Sequence, residues 1–289
     1  MRNKLLKRYF AYINSGSNIG SKLRIAIIIT LANHIVLGKV PDSIGEIFVG
    51  VSNRLSKGVT TYVCGLIFHM IDYGCCFTCM PFYEVWSDEY LRGQEGDVFL
   101  DIGAHVGIYT LPMAKTVGRN GFVVAVEASK RNYDCLNKNI ECNNLHNIIT
   151  NNVAAWSTDC NLNYYQGMAS STGRIGEHAG KKSIEVKGRS LDSLLKELKR
   201  EIPVNWIKID VDGSELEVLK GLRKTLLKNS PKLIVEVQES NRKKFEHYIG
   251  ALGYQYHSIP GSESEGDFDI YYYCWKGKDM PGISGGRNN

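Results

Sequence analysis

The 289-residue sequence predicts an α/β fold: a mostly parallel sheet with an antiparallel last strand and helices on both faces. Three observations carry this. Apolar strand-like runs alternate with helix-period segments from about residue 97 onward, and such alternation makes a parallel sheet covered on both sides. The central runs, VFLDI, FVVAV, WIKI and LIVEV, are apolar almost throughout, as strands buried on both faces must be. The last two runs, YQYHSI and FDIYYYCW, have no helix between them and read as a closing antiparallel pair.

Taken in order, residues 1–57 form a basic, partly helical N-terminal extension. Residues 1–60 hold nine Lys/Arg against two Asp/Glu, so the chain's basic excess belongs to this arm. Such an arm suits nucleic acid, an anionic lipid surface or an acidic partner, or is simply a solvated leader. Leu23–Leu37 is apolar but too short to span a bilayer, and reads as a core or interface helix, with a membrane-surface helix as the alternative. No secretory signal is evident in the sequence. The eight cysteines do not form a disulfide pattern, which suggests a reducing cytoplasm.

The body of the fold is expected over residues 58–276, with 277–289 a flexible tail. Residues 60–74 are β-rich, with a turn at Tyr73-Gly74, and Cys75–Trp86 reads as a second strand or its exit. Cys75, Cys76 and Cys79 lack the further ligands that zinc needs, so no metal is expected there. Helices are predicted at Ser87–Gly93, His105–Val117, Ser129–Asn143, Ser190–Arg200, Ser214–Leu227 and Asn241–Leu252. The residues Ser214 and Glu217 have capping-box spacing. Asn147–Trp156 reads as a strand, and NLNYYQ with SIEVKG as a hairpin around a Gly/Ser-rich stretch, 167–180.

Three strand ends carry candidate chemistry. Asp101 closes VFLD and precedes a turn with Gly103 and Gly107, a spacing that departs from G-x-G-x-x-G and so argues against a dinucleotide. Glu127 ends the next strand, where an acid can accept from both hydroxyls of a ribose. Asp210 and Asp212 follow the strand WIKI at the same rim, where a carboxylate can orient or deprotonate a hydroxyl. Capping of the next helix is an equal reading for Asp212.

The blocks DIGAHVGIYT, VEAS, SLDSL, KIDVDGSELEVLKG and LIVEV stand in one order. Together they resemble the FkbM-type family of class I methyltransferases over roughly Val59–Trp275. His105 stands where the family usually has Asn, and Asp212 where it often has Glu. The resemblance implies a class I methyltransferase, Rossmann-like sheet. It also implies methyl transfer from S-adenosylmethionine, commonly to an oxygen of a sugar or secondary metabolite. That cofactor has no phosphate and carries positive charge, which agrees with the acids at the turn. By the same resemblance Asp101, Gly103, His105, Gly107, Tyr109 and Thr110 line the methionine end, and Glu127, Ala128 and Ser129 face the ribose. Asn152, Val153 and Ala154 lie near the adenine, while Asp210, Asp212 and Glu236 face the methyl group and the acceptor. The base is expected to be Asp212, then Asp210, then Glu236, with His178 last. A small-molecule or glycan acceptor is expected. RNA is the alternative acceptor, given the basic arm, and a catalytically silent subunit is a further reading. No Asn/Asp-Pro-Pro-Tyr segment and no Pro-Cys pair after the fourth strand is present, which disfavours methylation of DNA bases.

Overall fold

A computed structural model describes residues 13–36, 42–79, 83–84, 86–167, 169–176, 183–198, 203–262 and 269–277. His178 and all but the first residue of the expected tail lie outside them.

Two helices open the described chain, α1 (Ile19–Val36) and α2 (Asp42–Ser56). They pack on a small hairpin, β1 (Thr60–Val63) with β2 (Leu66–His69), whose turn is Cys64-Gly65 rather than Tyr73-Gly74. The segment from Cys75, expected as a second strand or its exit, begins inside a short helix, α3 (Tyr73–Thr78). The reason is local: the Asp72 carboxylate accepts from Cys75 N at 3.2 Å and caps it. A single turn, α4 (Ser87–Tyr90), follows.

The main sheet has seven strands in the order β12-β13-β11-β10-β3-β4-β5. These are β3 (Val98–Ile102), β4 (Phe122–Val126), β5 (Ile148–Asn151), β10 (Val204–Ile209), β11 (Lys232–Val237), β12 (Gln255–Ser258) and β13 (Ile270–Trp275). Only β13 runs antiparallel to its neighbours. Side chains alternate between two apolar layers, as the period of two requires. Leu100, Ile102, Ile207, Ile209 and Val235 face one core, and Phe99, Trp206, Ile234 and Tyr273 face another. On the first face lie α7 (Leu191–Glu197), α8 (Glu215–Gly221), α9 (Arg223–Asn229) and α10 (Arg242–Ala251). The opposite face is covered by α5 (Thr110–Val117), α6 (Lys130–Cys142) and the N-terminal elements.

Several boundaries differ from the sequence reading for physical reasons. The helix expected from His105 begins at Thr110, which places Pro112 in its first turn, where a missing N–H costs nothing. Ser214 makes no side-chain capping bond, and the Glu217 carboxylate accepts from Lys220. The helix expected over Ser214–Leu227 is two helices, α8 and α9, joined at Leu222. The expected hairpin is β7 (Cys160–Gln166) with β9 (Ile184–Arg189), enlarged by β8 (Gly173–Ile175) and β6 (Ala154–Ala155) into a separate four-stranded sheet.

Candidate functional site

Parallel strands deliver their C-terminal ends to one rim, and this is where the cavity lies. Its volume is about 220 Å³. From the strand ends it is walled by Gly103, His105, Tyr109, Glu127, Lys208, Asp210, Asp212 and Glu236. Across from them stand Thr78, Tyr83, Tyr164 and Ser170. A second cleft shares Tyr164 and continues past Ala128, Ser129 and Asn152.

Strand register places the charges. Asp101 of β3 stands beside Lys208 of β10, and Glu236 of β11 faces Tyr271 of β13. At Gly103 (φ +80°) a Cβ would lie 1.8 Å from the Asp210 carbonyl, so the turn needs glycine to let two strand ends meet. That close approach is to protein backbone, not to open space. Three non-glycine residues at the cavity also adopt left-handed backbone: Glu84 (φ 46°), His105 (φ 50°) and Asp212 (φ 48°). Such conformations persist only where surrounding contacts enforce them.

Lys208 is buried, and its ammonium lies 2.8 Å from Asp210. Burial opposes its charge, but Asp210, Asp101 and Glu84 outweigh this and raise its pKa. Asp210 is the one carboxylate this lysine secures. Burial pushes it up, yet Lys208 and donors from Glu236 and Tyr271 hold it at about 2. Glu236 goes the other way, driven up by burial and by the Asp210 charge, and so holds a proton. Asp212 is pushed to about 7 by burial and by Asp210, against the Gly173 N–H it accepts at 3.1 Å. Glu127 is likewise raised to about 7 by burial, despite N–H donors from Ser129, His105 and Asn132.

Residues that the sequence did not single out bond to the lining of the cavity. Glu84 accepts from Tyr109 and lies 2.9 Å from the Tyr271 hydroxyl, which is also 3.0 Å from Asp210. The Tyr271 hydroxyl is shared between the two acids, and burial raises the Glu84 pKa while Lys208 and the two tyrosine hydroxyls lower it. A second chain runs from Asp72 to His105. The Asp72 carboxylate pairs with Arg131 at 3.2 Å and accepts from the Ser170 hydroxyl at 2.7 Å. Ser170 then has only lone pairs for His105 Nε2, 2.7 Å away, so that nitrogen carries the proton. The imidazole is neutral, because burial lowers its pKa to about 4.

Of the residues named from sequence, Gly103, His105, Tyr109, Glu127, Asp210, Asp212 and Glu236 share the cavity wall. Ala128, Ser129 and Asn152 line the adjoining cleft. Asp101 lies fully buried beneath the turn, where Thr110 donates to it at 2.5 Å. Gly107 packs against Leu111 and Leu136, Val153 packs against the main core, and Ala154 opens β6. Among the described residues no group of three or more His, Cys, Asp or Glu could hold a metal ion.

These residues fit a cationic ligand. The wall carries several acids and one lysine, and Asp101 Oδ1 is buried with no hydrogen-bond partner. Glu127 retains one unused lone pair, on Oε2, at the side of the cavity nearest Ala128 and Ser129, where a ribose would lie.

Comparison with known proteins agrees. The chain is 28% identical over 186 residues to the hexuronic acid methyltransferase AglP of Haloferax volcanii, covering 56% of this chain and 70% of that protein. A crystal structure of the methyltransferase FkbM from Methylobacillus flagellatus matches with a TM-score of 0.49 and 14% identity, over 94% of this chain and 59% of that one. The precorrin-6y C5,15-methyltransferase of Geobacter metallireducens matches with a TM-score of 0.43 and 15% identity, over 67% of this chain and 89% of that one. The family model of the FkbM methyltransferase domain matches residues 101–257, more than half of the chain. The chain therefore belongs to the FkbM methyltransferase family and takes its methyl group from S-adenosylmethionine.

Proposed function

We propose that this methyltransferase methylates a hydroxyl oxygen of a sugar, with Asp212 as the general base. The observation that carries this is the position and basicity of Asp212. It lies on the cavity wall two residues past the strand end, with a pKa raised to about 7. A base poised near neutrality both accepts a proton and is ionised at working pH. The similarity to AglP, whose name specifies a hexuronic acid, supports a sugar acceptor.

When bound, S-adenosylmethionine supplies an electrophilic methyl group on a good leaving group. The protein's part is to hold, orient and deprotonate. Glu127 accepts from the ribose hydroxyls, with Ala128 and Ser129 beside it. Asn152, Val153 and Ala154 frame the adenine end. Gly103, His105 and Tyr109 shape the methionine end, supported from beneath by Asp101, Gly107 and Thr110. Asp210 remains ionised against Lys208 and opposes the donor's positive charge. Glu236, protonated, donates to Asp210 and keeps its carboxylate aimed. Orientation of an acceptor oxygen for in-line attack supplies roughly 7–11 kcal/mol. We assign this activity to residues 58–276, working in a reducing compartment such as the cytoplasm, and a contact with a partner or surface to the basic N-terminal segment.

The test is methyl transfer from isotope-labelled donor to a panel of uronic acid glycosides, neutral hexosides and unpaired RNA oligonucleotides. Label on a glycoside hydroxyl is expected, with uronic acids favoured. Transfer to RNA alone would replace the sugar reading. Donor binding with no transfer to any member would return the silent-subunit reading.

A further inference from the structure

The first two helices carry an apolar surface that the cavity does not explain. The helix α1 has 18 residues, no acidic side chain, and apolar residues on both sides. Its inner side, Ile25, Ile28 and Ile29, is buried in a cluster with Val59, Leu66 and Phe68. Its outer side presents Ile19, Leu23 and Ile27, four residues apart, at 85%, 63% and 39% exposure. The second helix, α2, repeats the arrangement. Ser52 and Ser56 are buried, while Ile47 and Val51 are 62% and 44% exposed. The two helices pack on each other. Single exposed apolar residues are ordinary. Five in helical register on neighbouring helices form a patch that calls for a partner.

Charge identifies the partner. The described residues within 13–60 hold Lys22, Arg24, Arg54 and Lys57 against Asp42 and Glu46, a cationic excess. Lys22 and Arg24 lie between the ridge residues of α1. Arg24 donates to the Lys57 carbonyl at 3.0 Å, which brings exposed Lys57 beside them. Lys57 in turn lines a hollow with Arg131 and Lys138. Two copies of so cationic a face would repel across a two-fold axis, whereas an anionic surface would attract it. No helix among the described residues is long and apolar enough to cross a membrane. Apolar side chains with lysine and arginine between them can enter the acyl boundary of a bilayer while the cations stay at its headgroups.

We propose that this helix pair seats the enzyme on an anionic lipid bilayer. Ile19, Leu23, Ile27, Ile47 and Val51 enter the acyl boundary, and Lys22, Arg24 and Lys57 meet headgroup phosphates. The inference does not depend on the identity of the acceptor. Its test is flotation of the full chain with phosphatidylcholine vesicles, with and without phosphatidylglycerol. Retention on the anionic vesicles is expected, weakened by salt. The double variant Ile19→Ser/Leu23→Ser should lose about tenfold in vesicle affinity. Lys22→Glu/Lys57→Glu should lose more, at least about thirtyfold for two basic residues near the surface. Thermal melting confirms that each variant is folded. Absence of the folded wild type from anionic vesicles overturns the proposal. So does a solution dimer that Ile19→Ser/Leu23→Ser dissociates while vesicles retain neither protein.

Discussion

Two walls enclose the cavity, and they are built differently. The rim wall comes from strand ends and is densely charged: Glu127, Lys208, Asp210, Asp212 and Glu236. Its key contacts are short in sequence, such as Lys208 with Asp210, two residues apart. The opposite wall is held by hydroxyls, an imidazole and two acids that reach far along the chain. Ser170 meets Asp72 across 98 residues, and Glu84 meets Tyr271 across 187. The rim wall sets protonation, because a single lysine secures one carboxylate and leaves its neighbours with raised pKa values. The far wall sets shape, because its bonds fix where His105 and Tyr109 stand. Loss of Asp212 from the rim should therefore harm turnover, and loss of a far-wall acid should harm stability and donor binding.

The largest expected effect tests the rim. Asp212→Asn should lower kcat by about 10²–10⁴-fold, the usual worth of a positioned base, with donor affinity nearly unchanged. In the wild type, kcat should rise with pH through a value below the free enzyme's about 7, because only the ionised carboxylate accepts a proton and the bound donor's charge favours that form. In the variant that rise should vanish. A variant that keeps both its rate and its pH profile would show that Asp212 only caps the next helix.

The far wall is tested by Asp72→Asn. Its carboxylate caps α3, accepts from Ser170 N and Oγ, and pairs with half-exposed Arg131. Hydrogen bonds to a charged group are worth about 1.5–3 kcal/mol, and the Arg131 contact adds little because water screens it. Denaturant titration should therefore show a loss of ~2–3 kcal/mol. Donor affinity should fall several-fold while kcat at saturation changes little. An Asp72→Asn protein with full stability and impaired kcat would reverse the division between the walls.

The same division explains what could be read from the sequence. Apolar strands, glycine turns and strand-end acids are local signals, so the mostly parallel sheet with its antiparallel last strand, and Glu127, Asp210 and Asp212 at its rim, were within reach. Lys208 was visible as a charged residue inside an apolar strand, and burying it demands acids nearby, a signal the sequence reading did not use. Pro112 marked the true start of α5 in the same overlooked way. Glu84, Ser170 and Tyr271 carry no local mark. Their roles arise only when segments separated by 61 to 187 residues are packed together.

The smallest effect is also the most direct probe of the rim. Glu127 and Asp212 each have a pKa of about 7, so at neutral pH each is partly protonated. A cation entering the cavity favours the ionised forms and lowers both values. Ribose hydroxyls donating to Glu127 act in the same direction. Binding of S-adenosylmethionine near pH 7 should therefore release protons, and S-adenosylhomocysteine, which lacks the sulfonium charge, should release fewer. Calorimetry in two buffers of different ionisation enthalpy reads this number directly. Release should shrink well above pH 8, where both acids are already ionised, and Glu127→Gln should remove its share. Proton uptake, or equal release by both ligands, would mean that the donor's charge is met elsewhere, with the buried and partnerless Asp101 Oδ1 as the next place to look.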